Sequence, residues 1–118
     1  MPMDLPTLRK LVALDENDPL SRFALGRRLF EDGRDAGDRA MLEEAAGHLA
    51  FANQNAPDHL ATYHIRGQTL ILLGRNDEAR PVLEEGIRRV DSIGAGMGRD
   101  LGPAMADLLR DLSGPLSP

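Results

Sequence analysis

The chain has 118 residues, enough for one domain and not two, and its 42% hydrophobic and 28% charged residues exclude disordered and collagen-like classes. It has no cysteine, so disulfides, thiol catalysis and cysteine-based zinc or iron–sulfur sites are ruled out. A net charge of −5, no Trp and 3% aromatics argue against a nucleic-acid surface. No stretch approaches the ~18 apolar residues of a membrane span, and the opening Met1-Pro-Met-Asp-Leu-Pro is not read as a targeting signal, so a cytoplasmic location is expected.

Helical periodicity runs through the chain, and no stretch alternates long enough for a strand. Leu5, Leu8, Leu11 and Val12 predict a leading helix over about residues 5–14. Asp18-Pro19 opens the next, a capping side chain followed by proline in the first turn, and Leu20, Phe23, Ala24, Arg27, Leu29 and Phe30 fill it. Gly33 is expected to close it in a left-handed conformation, with residues 34–40 as an extended interhelix segment. Asp38 caps a third helix carrying Leu42, Ala45, Ala46, Leu49 and Ala52, and Pro57-Asp58 ends that one and starts a fourth over residues 59–73. Gly74 closes the fourth. Asn76 caps a fifth, with Pro81 near its start and Ala79, Val82, Leu83, Ile87 and Val90 on one face. Residues 92–98 read as a Gly-rich loop and residues 113–118 as a tail. Between them, Leu101, Met105, Leu108, Leu109 and Leu112 form the last apolar stripe. The expectation is an all-α chain of about six helices, with sequential neighbours antiparallel.

An internal repeat is the strongest signal. Leu25-Gly26-x-x-Leu29-x-x-x-Gly33 aligns with Arg66-Gly67-x-x-Leu70-x-x-x-Gly74 at an offset of 41 residues, whereas Ala45-x-x-x-Leu49 aligns with Ala79-x-x-x-Leu83 at 34. The first unit therefore carries seven extra residues between Gly33 and Ala45. This pattern resembles the tetratricopeptide (TPR) repeat, a helix–turn–helix unit of about 34 residues. Residues 60–93 match through Tyr63, Gly67, Leu70, Gly74, Ala79 and Leu83; residues 19–59 match through Leu25, Gly26, Leu29, Gly33, Ala45, Leu49, Ala52 and Pro57. The run from Gly74 to Gly86 looks much like the turn and second helix of small bacterial members of the family. Arg22 stands where the family has an aromatic, Arg66 where it has Leu, and Gly86 where it has Ala; the two arginines are expected to snorkel.

The resemblance implies a right-handed superhelix of antiparallel helix pairs. Residues 5–14 serve as the leading half-unit, 19–59 as the first repeat with its insertion, 60–93 as the second, and 100–113 as a capping helix. Gly26 and Gly67 are expected to make room for Ala45 and Ala79 on the second helices. Leu108, Leu109 and Leu112 of the capping helix are expected to be fully buried.

Catalytic and metal chemistry find little support. His59 and His64 are five residues apart, not the four of a helical metal pair, and His48 stands alone. The adjacent pairs Glu43-Glu44 and Glu84-Glu85 do not face each other as an acid–base dyad would. None of Ser21, Ser92, Ser113 and Ser117 lies in Gly-x-Ser-x-Gly, and Gly94-Ala-Gly-Met-Gly lacks the strand and the Lys-Ser of a phosphate loop. No catalytic residue, metal or cofactor is expected.

What remains is surface. The resemblance implies a groove lined by first helices, which carries over to Leu20, Phe23, Arg27 and Phe30 in the first unit and Ala61, His64, Gln68 and Ile71 in the second. The family's carboxylate clamp for chaperone tails is unmatched, since Phe23, Arg27 and Ile65 occupy its positions. Phe23, Phe30 and Ile71 are open to either reading, groove or core. Arg27 is the clearest fixed cation of the eight, suited to a carboxylate. The expected function is a non-enzymatic module that binds a protein or peptide partner; the alternative is a structural homodimer joined through Phe23 and Phe30.

Overall fold

A computed structural model describes residues 3–93 and 100–113. It contains six helices: α1 (Leu5–Leu14), α2 (Pro19–Ala36), α3 (Arg39–Asn55), α4 (Leu60–Leu72), α5 (Asn76–Ile93) and α6 (Leu101–Ser113), with no strand among the described residues. Three of the helices start on a capping aspartate. Asp4 accepts from the Thr7 N–H at 3.0 Å, Asp18 from the Leu20 N–H at 3.1 Å and Asp38 from the Met41 N–H at 3.2 Å, each satisfying an orphan donor of the first turn. Two expected starts shift slightly. His59 rather than Pro57-Asp58 precedes α4, and Asn76 is already the first residue of α5.

The turns inside the two hairpins are the same structure. Gly37 (φ 64°) and Gly74 (φ 77°) are the two glycines with positive φ among the described residues. After each, an N–H reaches back five residues: Asp38 to the Gly33 carbonyl at 2.9 Å, Arg75 to the Leu70 carbonyl at 2.8 Å. This closes the helix C-terminus and reverses the chain.

The expected extended segment over residues 34–40 is therefore incorrect. α2 continues to Ala36, the turn falls at Gly37, and α3 begins at Arg39. Gly33 is a buried interior residue, not a terminator. Of the seven extra residues, four lie before the turn glycine and three after it, so the insertion adds about one turn to each helix of the hairpin. Packing makes this favourable. A Cβ on Gly33 would sit 3.0 Å from Leu42 Cγ and 3.1 Å from Met41 Cβ, so the longer hairpin zips closed at its tip.

Gly26 and Gly67 do provide close approach, but against leucine. A Cβ on Gly26 would lie 2.9 Å from Leu49 Cγ, and one on Gly67 would overlap the Leu83 side chain. The expected partners Ala45 and Ala79 are fully buried, yet the atoms nearest these glycines belong to Leu49, His48 and Leu83. Leu25, Leu29, Leu49, Leu70, Leu83 and Met105 form the interior, which Leu8 and Val12 of α1 join from one end.

At the other end the cap is held differently from expectation. Leu108, Leu109 and Leu112 are half-buried, and Met105 is the anchor, 0% exposed, filling the space left by Gly86 of α5. The Gly-rich loop expected over residues 92–98 is helical at Ser92 and Ile93; the rest lies outside the described residues.

Every helix packs on its chain neighbour. In addition α4 touches both α2 and α6, making one continuous layer of alternate helices. Ion pairs tie the remaining helices together: Arg9 of α1 grips Glu44 of α3 with both terminal nitrogens, and Arg75, ahead of α5, reaches Glu43 of α3 at 3.2 Å.

Candidate functional site

The α2–α4–α6 layer carries a cavity of about 170 Å³, lined by Phe30 and Arg34 of α2, Gln68, Ile71 and Leu72 of α4, and Leu108 of α6. That volume suits one or two side chains, not the metabolite pockets of about 300–1,000 Å³. Three expected groove residues meet here: Phe30, Gln68 and Ile71. Phe30 is only 4% exposed, so it is a core residue that also forms the cavity wall. Ile71 and Gln68 are half-buried, and Leu72 is 48% exposed.

The other expected positions lie apart from this cavity. Leu20 is 55% exposed. Half-buried Phe23 packs edge-on against His59, with ring centroids 4.5 Å apart. Ala61 lines a separate cavity with His59, Ile93 and Leu101. Arg27 is exposed, its Nε 3.5 Å from Glu31, and does not line the cavity. His64 is half-buried, and burial lowers its pKa below the ordinary 6.5. Burial likewise lowers His59, and it lowers His48 against the opposing pull of Glu44. All three rings therefore favour the neutral form near pH 7.

Sequence reasoning missed Arg34, Leu72 and Leu108. Arg34 follows Phe30 by four residues and shares its face only because α2 continues past Gly33; its guanidinium lies 5.2 Å over the Phe30 ring centroid. Its one ion pair among the described residues, Nε to the adjacent Asp35 at 3.1 Å, is exposed and weak. Among the described residues, Arg34 is thus the one charged residue lining the cavity.

Several of the remaining candidates have structural partners. Ser21 Oγ donates to Asp18, Glu43 and Glu44 hold arginines of neighbouring elements, and Glu85 pairs with Arg88 and Arg89. Arg22 does not snorkel to water. Its guanidinium stacks 4.4 Å over Phe51 and donates to the Glu16 carbonyl at 2.9 Å. Among the described residues no group of three or more His, Asp or Glu is arranged to hold a metal ion, and no helix is long and apolar enough to cross a membrane.

Against known proteins, the chain matches no family model, no curated protein and no solved structure.

Proposed function

We propose that this chain is a non-enzymatic binding module: a short TPR-like, right-handed solenoid whose α2–α4–α6 layer holds a peptide or helix of a protein partner. The observation that carries the reading is the cavity where Phe30, Gln68 and Ile71 meet Arg34, Leu72 and Leu108 across three alternate helices. Phe30, Ile71, Leu72 and Leu108 offer hydrocarbon, and Arg34 supplies the charge at the rim. The fitting ligand is an apolar side chain beside an acidic group, since aromatic and arginine anchors dominate protein interfaces and guanidinium forks suit carboxylates. The acidic group falls to Arg34 rather than to Arg27, which Glu31 already attends. The net charge of −5 argues against nucleic acid as a partner.

The test is comparative capture from the source cells. Wild type, Leu72→Glu and a control carrying Glu84→Lys, an exposed α5 residue, are compared for what they retain. A protein kept by wild type and Glu84→Lys but lost by Leu72→Glu supports the reading. The same set on all three overturns it. The homodimer reading has less to draw on, because Phe30 is buried and Phe23 is half-buried against His59. Sedimentation at micromolar concentration separates the two.

A further inference from the structure

Arg22 of α2 and Tyr63 of α4 occupy matching places in the two units, 41 residues apart. Each ties its helix to the backbone carbonyl six residues upstream. Tyr63 does this with a neutral hydroxyl, donating to Pro57 at 2.6 Å. Arg22 does it with a guanidinium, whose Nε donates to Glu16 at 2.9 Å. Glu16 lies in the connection between α1 and α2, so Arg22 pins that connection to the first unit.

The guanidinium is also held from α3. It stacks on Phe51, and its Nη1 lies 3.3 Å from His48 Nδ1. A guanidinium only donates, so Nδ1 accepts, which fixes the ring as the neutral tautomer with its proton on Nε2. That N–H faces Glu44 Oε2 at 3.3 Å. Glu44 is itself anchored, because both of its oxygens accept from Arg9 of α1. His48 therefore stands between a fixed carboxylate and a cation, with its side chain only 16% exposed. At the matching place in the second unit, 34 residues on, stands Val82, which does not titrate.

We propose that His48 and Arg22 form a pH-sensitive latch on the α1–α2 connection: the neutral ring keeps Arg22 on the Glu16 carbonyl, and a proton taken up at Nδ1 drives Arg22 off. Protonation removes the acceptor and sets two cations 3.3 Å apart in a poorly hydrated place. The imidazolium stays, because the anchored Glu44 attracts it, so Arg22 is the group that leaves. Burial opposes the proton most, Arg22 of α2 and Arg9 of α1 add to it, and Glu44 of α3 pulls the other way. The latch is therefore closed at neutral pH and opens below the ordinary 6.5. Opening frees the connection alone, since α1 remains docked through Leu8, Val12 and the Arg9–Glu44 pair.

The test is a magnetic-resonance titration of the full chain, labelled with carbon-13 and nitrogen-15, from about pH 8 to about pH 5. At the upper end the His48 ring is expected as the Nε2–H tautomer, and the Arg22 side-chain protons should carry the upfield shift imposed by the Phe51 ring. On acidification Arg22 should lose about half or more of that shift at the His48 midpoint, and its Nε–H protection from exchange should fall about ten-fold. His48→Gln offers Arg22 an acceptor that acid does not remove, so the shift should persist throughout. A neutral ring with its proton on Nδ1 overturns the inference. So does a His48 that charges while Arg22 keeps its place over Phe51, or a loss of the Arg22 shift that survives in His48→Gln. Should that variant fail to fold, the wild-type midpoints decide: Arg22 moving with His59 or His64 instead of His48 overturns it equally.

Discussion

Gly86 of α5 and Met105 of α6 fit as hole and plug: a Cβ on Gly86 would lie 2.5 Å from Met105 Sδ and 2.7 Å from Tyr63 Cβ. The methionine thioether is soft and by itself would yield by rotamer change. Tyr63 Cβ is fixed to the α4 backbone, and its hydroxyl is tied to the Pro57 carbonyl at 2.6 Å, so α4 has no slack to give. Gly86→Ala should therefore destabilise by about 1–3 kcal/mol, as overpacking does, despite alanine's better helix propensity. Gly47→Ala is the matched control: nothing lies within 4 Å of the added methyl, so it should stabilise by about 0.5–1 kcal/mol. Urea melts of both variants check the pair, and equal signs would show that the α5–α6 contact is looser than described.

The same contact makes α6 a required cap. Met105 is fully buried, and Leu108, Leu109 and Leu112 pack partly on the core, so deleting the helix bares the α5 face that carries Gly86 and Val90. Burial of Met105 alone is worth about 1.5–3 kcal/mol, a large fraction of a small domain's stability. A chain truncated after Ile93 is expected to bind a hydrophobic dye and to lose its cooperative melt. Unchanged melting of a monomeric truncation would refute the role.

What the sequence reveals and what it hides follows a physical line. Asp18, Asp38 and Gly74 were legible because caps act within one turn of backbone. Gly33 was misread because Gly33 and Gly37 are both acceptable terminators, and Arg34-Asp-Ala-Gly-Asp-Arg-Ala is polar enough to pass for a loop. The choice is made by Leu42 against Gly33, a contact between helices that periodicity does not carry. The groove divides likewise. Phe30, Gln68 and Ile71 follow from the repeat, whereas Arg34 depends on the extension of α2 and Leu108 on the docking of α6.

Acid should destabilise the fold in two stages. His48, His59 and His64 have folded-state pKa values held below 6.5 by burial, so the unfolded chain takes up protons first as pH falls. Stability is thus full above about pH 6.5 and declines as pH drops toward the folded values. The second stage belongs to carboxylates. The Ser21 hydroxyl and the Leu20 N–H lower Asp18, the Thr7 hydrogen bonds lower Asp4, and Arg9, Arg75 and Arg89 lower Glu44, Glu78 and Glu85. Their contribution is present above the ordinary values of 3.8 and 4.5 and is lost below them. Melting temperature measured from pH 8 to 3 should fall between pH 6.5 and 5, then more steeply below 4.5. His64→Gln should flatten the first stage; a flat profile in wild type down to pH 5 would contradict the histidine assignment.

The groove is tested most sharply by its two arginines. Arg34 lines the cavity over Phe30, whereas Arg27 lies outside it beside Glu31. If an acidic group of the partner docks against the cavity, Arg34→Glu replaces an attraction with a repulsion and should weaken binding at least ten-fold, ~1.4 kcal/mol. Arg34→Gln should sit between, because it removes the charge without reversing it. Arg27→Glu places two carboxylates four residues apart on α2, which costs about 0.2–0.5 kcal/mol of stability but should leave affinity within about three-fold. Melting separates binding from folding. Arg34→Gln forfeits the stacking on Phe30, about 0.5–1 kcal/mol at an exposed site, so a modest drop is expected without loss of the cooperative transition. Calorimetric titration of the captured partner against the three variants gives the order. Arg27→Glu weakening binding more than Arg34→Glu would move the contact about two turns toward the N-terminus of α2, on the side of Phe23 and Leu20.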